Sequence, residues 1–141
     1  MKNLLCLFCM LCVLSSCKKD NQSYVLNDPN SLDGATVAKT GSLTFFDDSS
    51  SEGLAKIYIR KDGVTVFGLE QMNYESAYSD VDVYMSVTPA LTTASVKIFS
   101  AKKMHGNIYY PLNNGINAFA FGYVIIQGDT DDSSIASAVL K

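Results

Sequence analysis

Asp129, Asp131 and Ser133 alternate along the loop at residues 128–134, and oxygen ligands so spaced can converge on a hard cation such as calcium. A full calcium loop would need glycine where Ser134 stands and a bidentate glutamate where Leu140 stands, so these residues read better as a solvated turn. Asp47, Asp48 and Glu52 could add carboxylates only if their own loop lies nearby. His105 is the sole histidine, and no Gly-x-Ser-x-Gly elbow or His-Glu-x-x-His helix accompanies it. A general base or metal ligand would rest on it alone, whereas Lys102-Lys103-Met104-His105-Gly106 reads as a basic surface turn. Met72, Met85 and Met104 offer soft sulfur, but Met85 falls on the apolar face of a strand and reads as core filling. Tyr74, Tyr78, Tyr84, Tyr109 and Tyr110 could form an amphipathic binding patch, since aromatic faces suit sugars and protein hot spots. The same tyrosines would also serve as cross-strand pairs on a sheet. No residue constellation spells out a reaction, and the chain reads as a non-enzyme without a resident cofactor.

The chemistry that is legible is acylation. Lys2, an apolar run over residues 4–14 and then Leu14-Ser15-Ser16-Cys17 follow the order of n-region, h-region and small-residue cleavage site. The run is too short to span a bilayer, which needs roughly 20 residues, and the whole resembles the signal sequence of a bacterial lipoprotein. Cleavage would remove residues 1–16, with Cys6, Cys9 and Cys12, and leave Cys17 as a lipidated, palmitate-bearing N-terminus. The mature chain would then hold no free thiol for a disulfide, a metal site or a nucleophile. Lys18-Lys19-Asp20 resembles the sorting signals of outer-membrane lipoproteins in Gram-negative bacteria; the two lysines would equally sit among anionic head groups, at about 1 kcal/mol each. The implied address is the cell envelope, with the membrane as one partner through the lipid and an envelope protein or glycan as the other. A net charge of −3 argues against nucleic acid.

The elements that must carry these residues are short strands. Residues 17–40 are polar and turn-rich, with Asn27-Asp28-Pro29 and Asp33-Gly34, and read as a lipidated N-terminus and flexible tether. Residues 41–141 then form one domain. Residues 55–60 and 64–69 flank Lys61-Asp62-Gly63 and predict an antiparallel hairpin. Val81, Val83, Met85 and Val87 alternate with polar partners, Tyr84 facing away from the valines, and Val96 with Ile98 repeats the pattern. Residues 119–127 are nearly continuously apolar, which predicts burial on both faces, and residues 135–140 supply a last strand. Only residues 69–78 leave room for a helical turn. The sum is an all-β chain, an antiparallel β-sandwich or partly open barrel of about eight strands.

Gly53-Leu54-Ala55-Lys56-Ile57-Tyr58-Ile59, Asp80-Val81-Asp82-Val83-Tyr84-Met85-Ser86, Gly106-Asn107-Ile108-Tyr109-Tyr110-Pro111-Leu112, Tyr123-Val124-Ile125-Ile126 and Ala138-Val139-Leu140 together resemble the DM-thirteen electron-transfer domain family. The resemblance implies a β-sandwich over residues 53–140 and, as an alternative function, an electron-transfer accessory. It also implies a redox cysteine just after the buried Ile-rich strand, where this chain has Gln127. An amide cannot enter thiol–disulfide chemistry, so the family's activity does not carry over with its fold.

Overall fold

In the computed structural model Gly63 adopts φ +82° and its N–H donates to the Arg60 carbonyl at 3.0 Å, closing the turn between β3 (Glu52–Ile59) and β4 (Thr65–Tyr74). A left-handed glycine after a tight turn is what lets two strands return antiparallel without splaying. The predicted hairpin is therefore present, with Ile59 opposite Thr65 and Ala55 opposite Leu69. The structure describes residues 32, 34–48, 50–74, 78, 80–101, 104–129 and 133–141. Cys17 and the lipoprotein-like segment lie outside them.

Around the hairpin, β1 (Thr36–Ser42) and β7 (Met104–Pro111) complete a four-stranded sheet in the order β1-β3-β4-β7. A five-stranded sheet runs β2 (Thr44–Phe45), β9 (Ser134–Val139), β8 (Tyr123–Gly128), β5 (Val81–Ser86) and β6 (Val96–Ala101). Every pairing in both sheets is antiparallel. The two sheets stay separate, so the sandwich rather than the barrel is the architecture. Between them lie Ile57, Phe67 and Leu69 from one sheet and Val83, Met85, Val124 and Ile126 from the other, all buried. Each such side chain contributes about 1.5–3 kcal/mol on leaving water. Ring pairs cross the interior: Phe67 of β4 meets Phe99 of β6 at 6.1 Å, and Phe45 of β2 stacks on Tyr74 of β4 at 5.0 Å.

Several expectations need correction. Thr36 to Thr40, read as the end of the tether, are strand β1, paired to β3 from Thr36 opposite Ile59 onward. Leu32 and Ala35 pack against the outer face of the same sheet, so ordered packing begins before that strand. His105 and Gly106 belong to β7 rather than to a turn. Phe119, expected inside a buried strand, is 48% exposed in a one-turn 3-10 helix (Ala118–Ala120), and the buried apolar run is Val124-Ile125-Ile126 of β8.

The stretch expected to turn helically is strand as far as Tyr74, broken by a bulge. Gln71 sits at φ +53° and its N–H donates to Asn107 Oδ1 at 3.0 Å. The extra residue shifts the alternation: Phe67 and Leu69 point inward before it, Met72 and Tyr74 after it. A left-handed conformation costs a side-chain-bearing residue about 1–2 kcal/mol, partly offset by the backbone entropy that glycine loses. Gln71→Gly is expected to raise unfolding stability by about 0.5–1 kcal/mol, measured by urea denaturation.

Candidate functional site

Among the described residues a buried polar cluster lies on the outer face of the four-stranded sheet, away from the sandwich core. It forms because the hairpin register sets Lys56 opposite Gly68 and Leu54 opposite Glu70, leaving Lys56 and Glu70 as diagonal neighbours on one face. Lys56 Nζ donates to Glu70 Oε2 at 2.6 Å. Tyr58 and Tyr109 both donate their hydroxyls to Glu70 Oε1, the latter at 3.0 Å. Tyr58 and Tyr109 flank Gly68, edge to face, with centroids 6.2 Å apart and planes at 77°. A Cβ on Gly68 would stand 3.1 Å from one ring and 3.2 Å from the other, so only glycine leaves both rings unshifted. Val66, Val64, Leu32 and Ala35 seal the apolar side of the cluster.

Electrostatics follow from that geometry. Burial on its own would raise the Glu70 carboxyl, but hydrogen bonds from Lys56, Tyr58 and Tyr109, with the Lys56 charge, hold it below its ordinary value. Burial, reinforced by hydrogen bonding to Glu70 and by its charge, pushes the Tyr109 hydroxyl up to about 12 and moves Tyr58 further in the same direction. A raised phenol stabilises the fold below its unfolded value near pH 10, and this stabilisation disappears as pH climbs through the folded value. In a 295 nm titration of the eight tyrosines, two are expected to ionise only near or above pH 12, together with alkaline loss of sheet signal. Ionisation of all eight around pH 10 with the sheet intact would contradict the network.

The tyrosines read as one patch are dispersed. Tyr74 is buried in the core and donates to Asp47 Oδ2 at 2.6 Å, while Tyr110 stacks on Phe99 at 5.6 Å inside the sandwich. Tyr109 belongs to the Glu70 cluster on one outer face. Tyr84 lies on the opposite outer face, where its hydroxyl approaches Asp82 Oδ2 at 3.3 Å. Tyr78 shares a 2.8 Å hydrogen bond with Ser133 Oγ. That bond accounts for one member of the calcium-like trio; Asp129 is exposed with its N–H on the Asp80 carbonyl, and Asp131 lies outside the described residues. Among the described residues no three His, Cys, Asp or Glu side chains gather as a metal-holding group. Asp48 instead accepts from Ser50 and Ser51, which hold its carboxyl below the ordinary value. Met72, Met85 and Met104 are buried in the core, and His105 is exposed on β7. Gln127, at the position where the family resemblance implies cysteine, is half-buried on β8 opposite Asp82 and Ser134.

Sequence reasoning missed Glu70, Lys56 and Tyr58, and named Tyr109 only as one of a tyrosine patch. The available signal was the hairpin itself: counted out from Gly63, the register puts a lysine, a tyrosine and a glutamate on one face. The chain matches no protein family, no curated protein and no solved structure.

Proposed function

We propose that the protein is a lipid-anchored β-sandwich of the bacterial envelope, most consistent with the outer membrane of a Gram-negative cell, acting as a binding module rather than an enzyme. The observation that carries the anchor is Leu14-Ser15-Ser16-Cys17 placed directly after an apolar run of h-region length. The observation that supports binding over catalysis is the state of Glu70. Three donors converge on its carboxylate and keep it ionised, the opposite of the raised carboxyl a general acid requires. Its Lys56 partner neutralises it, and the two tyrosine hydroxyls on Oε1 are buried with it. The cluster thus serves as a rigid brace across three strands, suited to presenting a surface. Intact-mass measurement on protein recovered from bacterial membranes tests the reading. A species starting at Cys17 and carrying acyl groups supports it; a full-length species with a free thiol at position 17 overturns it.

A further inference from the structure

We infer that the outer face of the five-stranded sheet, with the groove beside β9, binds a neutral oligosaccharide; this deepens the binding-module reading and rests on it. Residues directly opposite across paired strands share a face, which sets one row across all five strands: Thr44, Ser137, Ile125, Tyr84 and Lys97, with Ile125 itself buried at the centre and the accessible surface supplied by its neighbours. Four gaps of about 4.8 Å make that row about 19 Å long, room for several sugar rings in file. Tyr123 and Val139, themselves opposite each other, lie one step along from it on the same face. Two half-buried tyrosines on neighbouring strands, offset by two residues, supply aromatic faces on which the apolar side of a sugar ring can lie.

The second observation is independent of those rings. Where β1 passes to β2 it leaves a groove of about 440 Å³ against β9, and the hydroxyl-bearing Thr40, Ser42, Thr44 and Ser137 line it together with Lys141. Gly41 is part of this wall; any side chain there would run into the Val139 carbonyl. Two of the groove's lining residues, Thr40 and Lys141, exchange two backbone hydrogen bonds at 3.0 Å. Ser137 and Val139 belong to both groove and face, so the two surfaces are continuous. Val139 is 50% exposed at the junction.

Charge selects the class of ligand. The acid and the base near Tyr84 cancel: Lys97 Nζ meets Asp82 Oδ2 at 2.7 Å, and Ser100 donates to the other oxygen at 2.7 Å. With that pair cancelled, Lys141 in the groove is a single cation, so an aromatic, hydroxyl-bearing surface of this kind favours a polyhydroxylated, uncharged ligand over an anionic polymer, which needs a surplus of cations.

The test is calorimetric titration of the full chain, in a detergent without sugar head groups, with cellohexaose, maltohexaose and chitohexaose. Binding of at least one of them is expected, insensitive to salt. Tyr123→Ala and Val139→Arg should each weaken it by about tenfold or more, while Val37→Ala, on the outer face of the other sheet, leaves it unchanged. Thermal midpoints of each variant report folding, and exposed Val139 provides a readout if Tyr123→Ala is unstable. The inference fails if none of the three binds, if binding survives both substitutions in folded protein, or if polygalacturonate binds in their place with steep salt dependence. Acylation at Cys17 is read by mass on the same samples, so a failure of saccharide binding is distinguishable from a failure of the anchored-module reading.

Discussion

Glu70→Ala is expected to lower unfolding stability by about 2–4 kcal/mol, a large fraction of what a domain of this size possesses. The loss does not come chiefly from the ion pair. Lys56 keeps 21% of its side chain exposed, so its ammonium can turn to water once the carboxylate has gone. The hydroxyls of Tyr58 and Tyr109 have no such escape, because both residues are 7% exposed and packed under Val66 and its neighbours. Two buried donors left without an acceptor cost about 1–3 kcal/mol each, reduced where the smaller side chain admits water. Glu70→Gln keeps one acceptor oxygen and is expected to cost less, about 1–2 kcal/mol. The pair of variants also separates charge from hydrogen bonding through pH. Because the folded Glu70 carboxyl is held below its ordinary 4.5, its stabilisation is complete above that value and declines as pH falls towards the folded value. Wild-type protein should therefore lose stability across the acid side of pH 4.5, and the part of that slope owed to Glu70 should vanish in Glu70→Gln. Urea denaturation at pH 7 and at several points below pH 4.5 measures both effects. A Glu70→Ala variant within 0.5 kcal/mol of wild type would remove the brace from the account.

The same residues show how far the fold is legible in the sequence alone. Alternation is a reliable guide where one face of a strand meets the core and the other meets water, and β5 obeys it: Val81, Val83 and Met85 are buried while Asp82 and Tyr84 are only partly so. The turn at Gly63 is equally local, fixed by a residue that tolerates positive φ. Legibility ends where the pattern depends on a partner strand. β4 alternates up to Leu69, skips at Gln71 and resumes with the other parity at Met72, and the skip is held by Asn107 from β7, thirty-six residues away. Read alone, inward residues at 69, 72 and 74 mimic helical spacing. Glu70 was hidden for the same reason: its meaning comes from Lys56 across the hairpin and Tyr109 across the opposite pairing, neither adjacent in sequence. Tyrosine type likewise carries no information about side. Tyr109 and Tyr110 are neighbours in the chain, yet one belongs to the outer cluster and the other to the core.

Cys17→Ala is expected to abolish acylation completely and to leave residues 1–16 attached. Each methylene of an acyl chain buried in lipid contributes about 0.8 kcal/mol, so one chain gives marginal binding while two or more hold the protein effectively permanently. Alanine offers no sulfur for the thioether. What remains is Lys18 and Lys19, at about 1 kcal/mol each near an anionic surface and screened by salt, together with the uncleaved apolar run over residues 4–14, which is too short to cross the bilayer but holds the variant to it by apolar burial in place of lipid. The decisive measurement is sedimentation of membranes after a 1 M salt wash, a condition under which the Debye length shrinks to about 3 Å. Wild-type protein should stay in the pellet with a mass that starts at acylated Cys17, whereas Cys17→Ala should show the full-length mass with no acyl group. Because all four cysteines lie within residues 1–17 and the sandwich core contains none, the variant's thermal midpoint should match wild type. Wild-type protein that itself washes off in salt would show attachment by charge alone and would end the lipoprotein reading, whereas a lowered midpoint in the variant would place Cys17 in the fold rather than in the membrane.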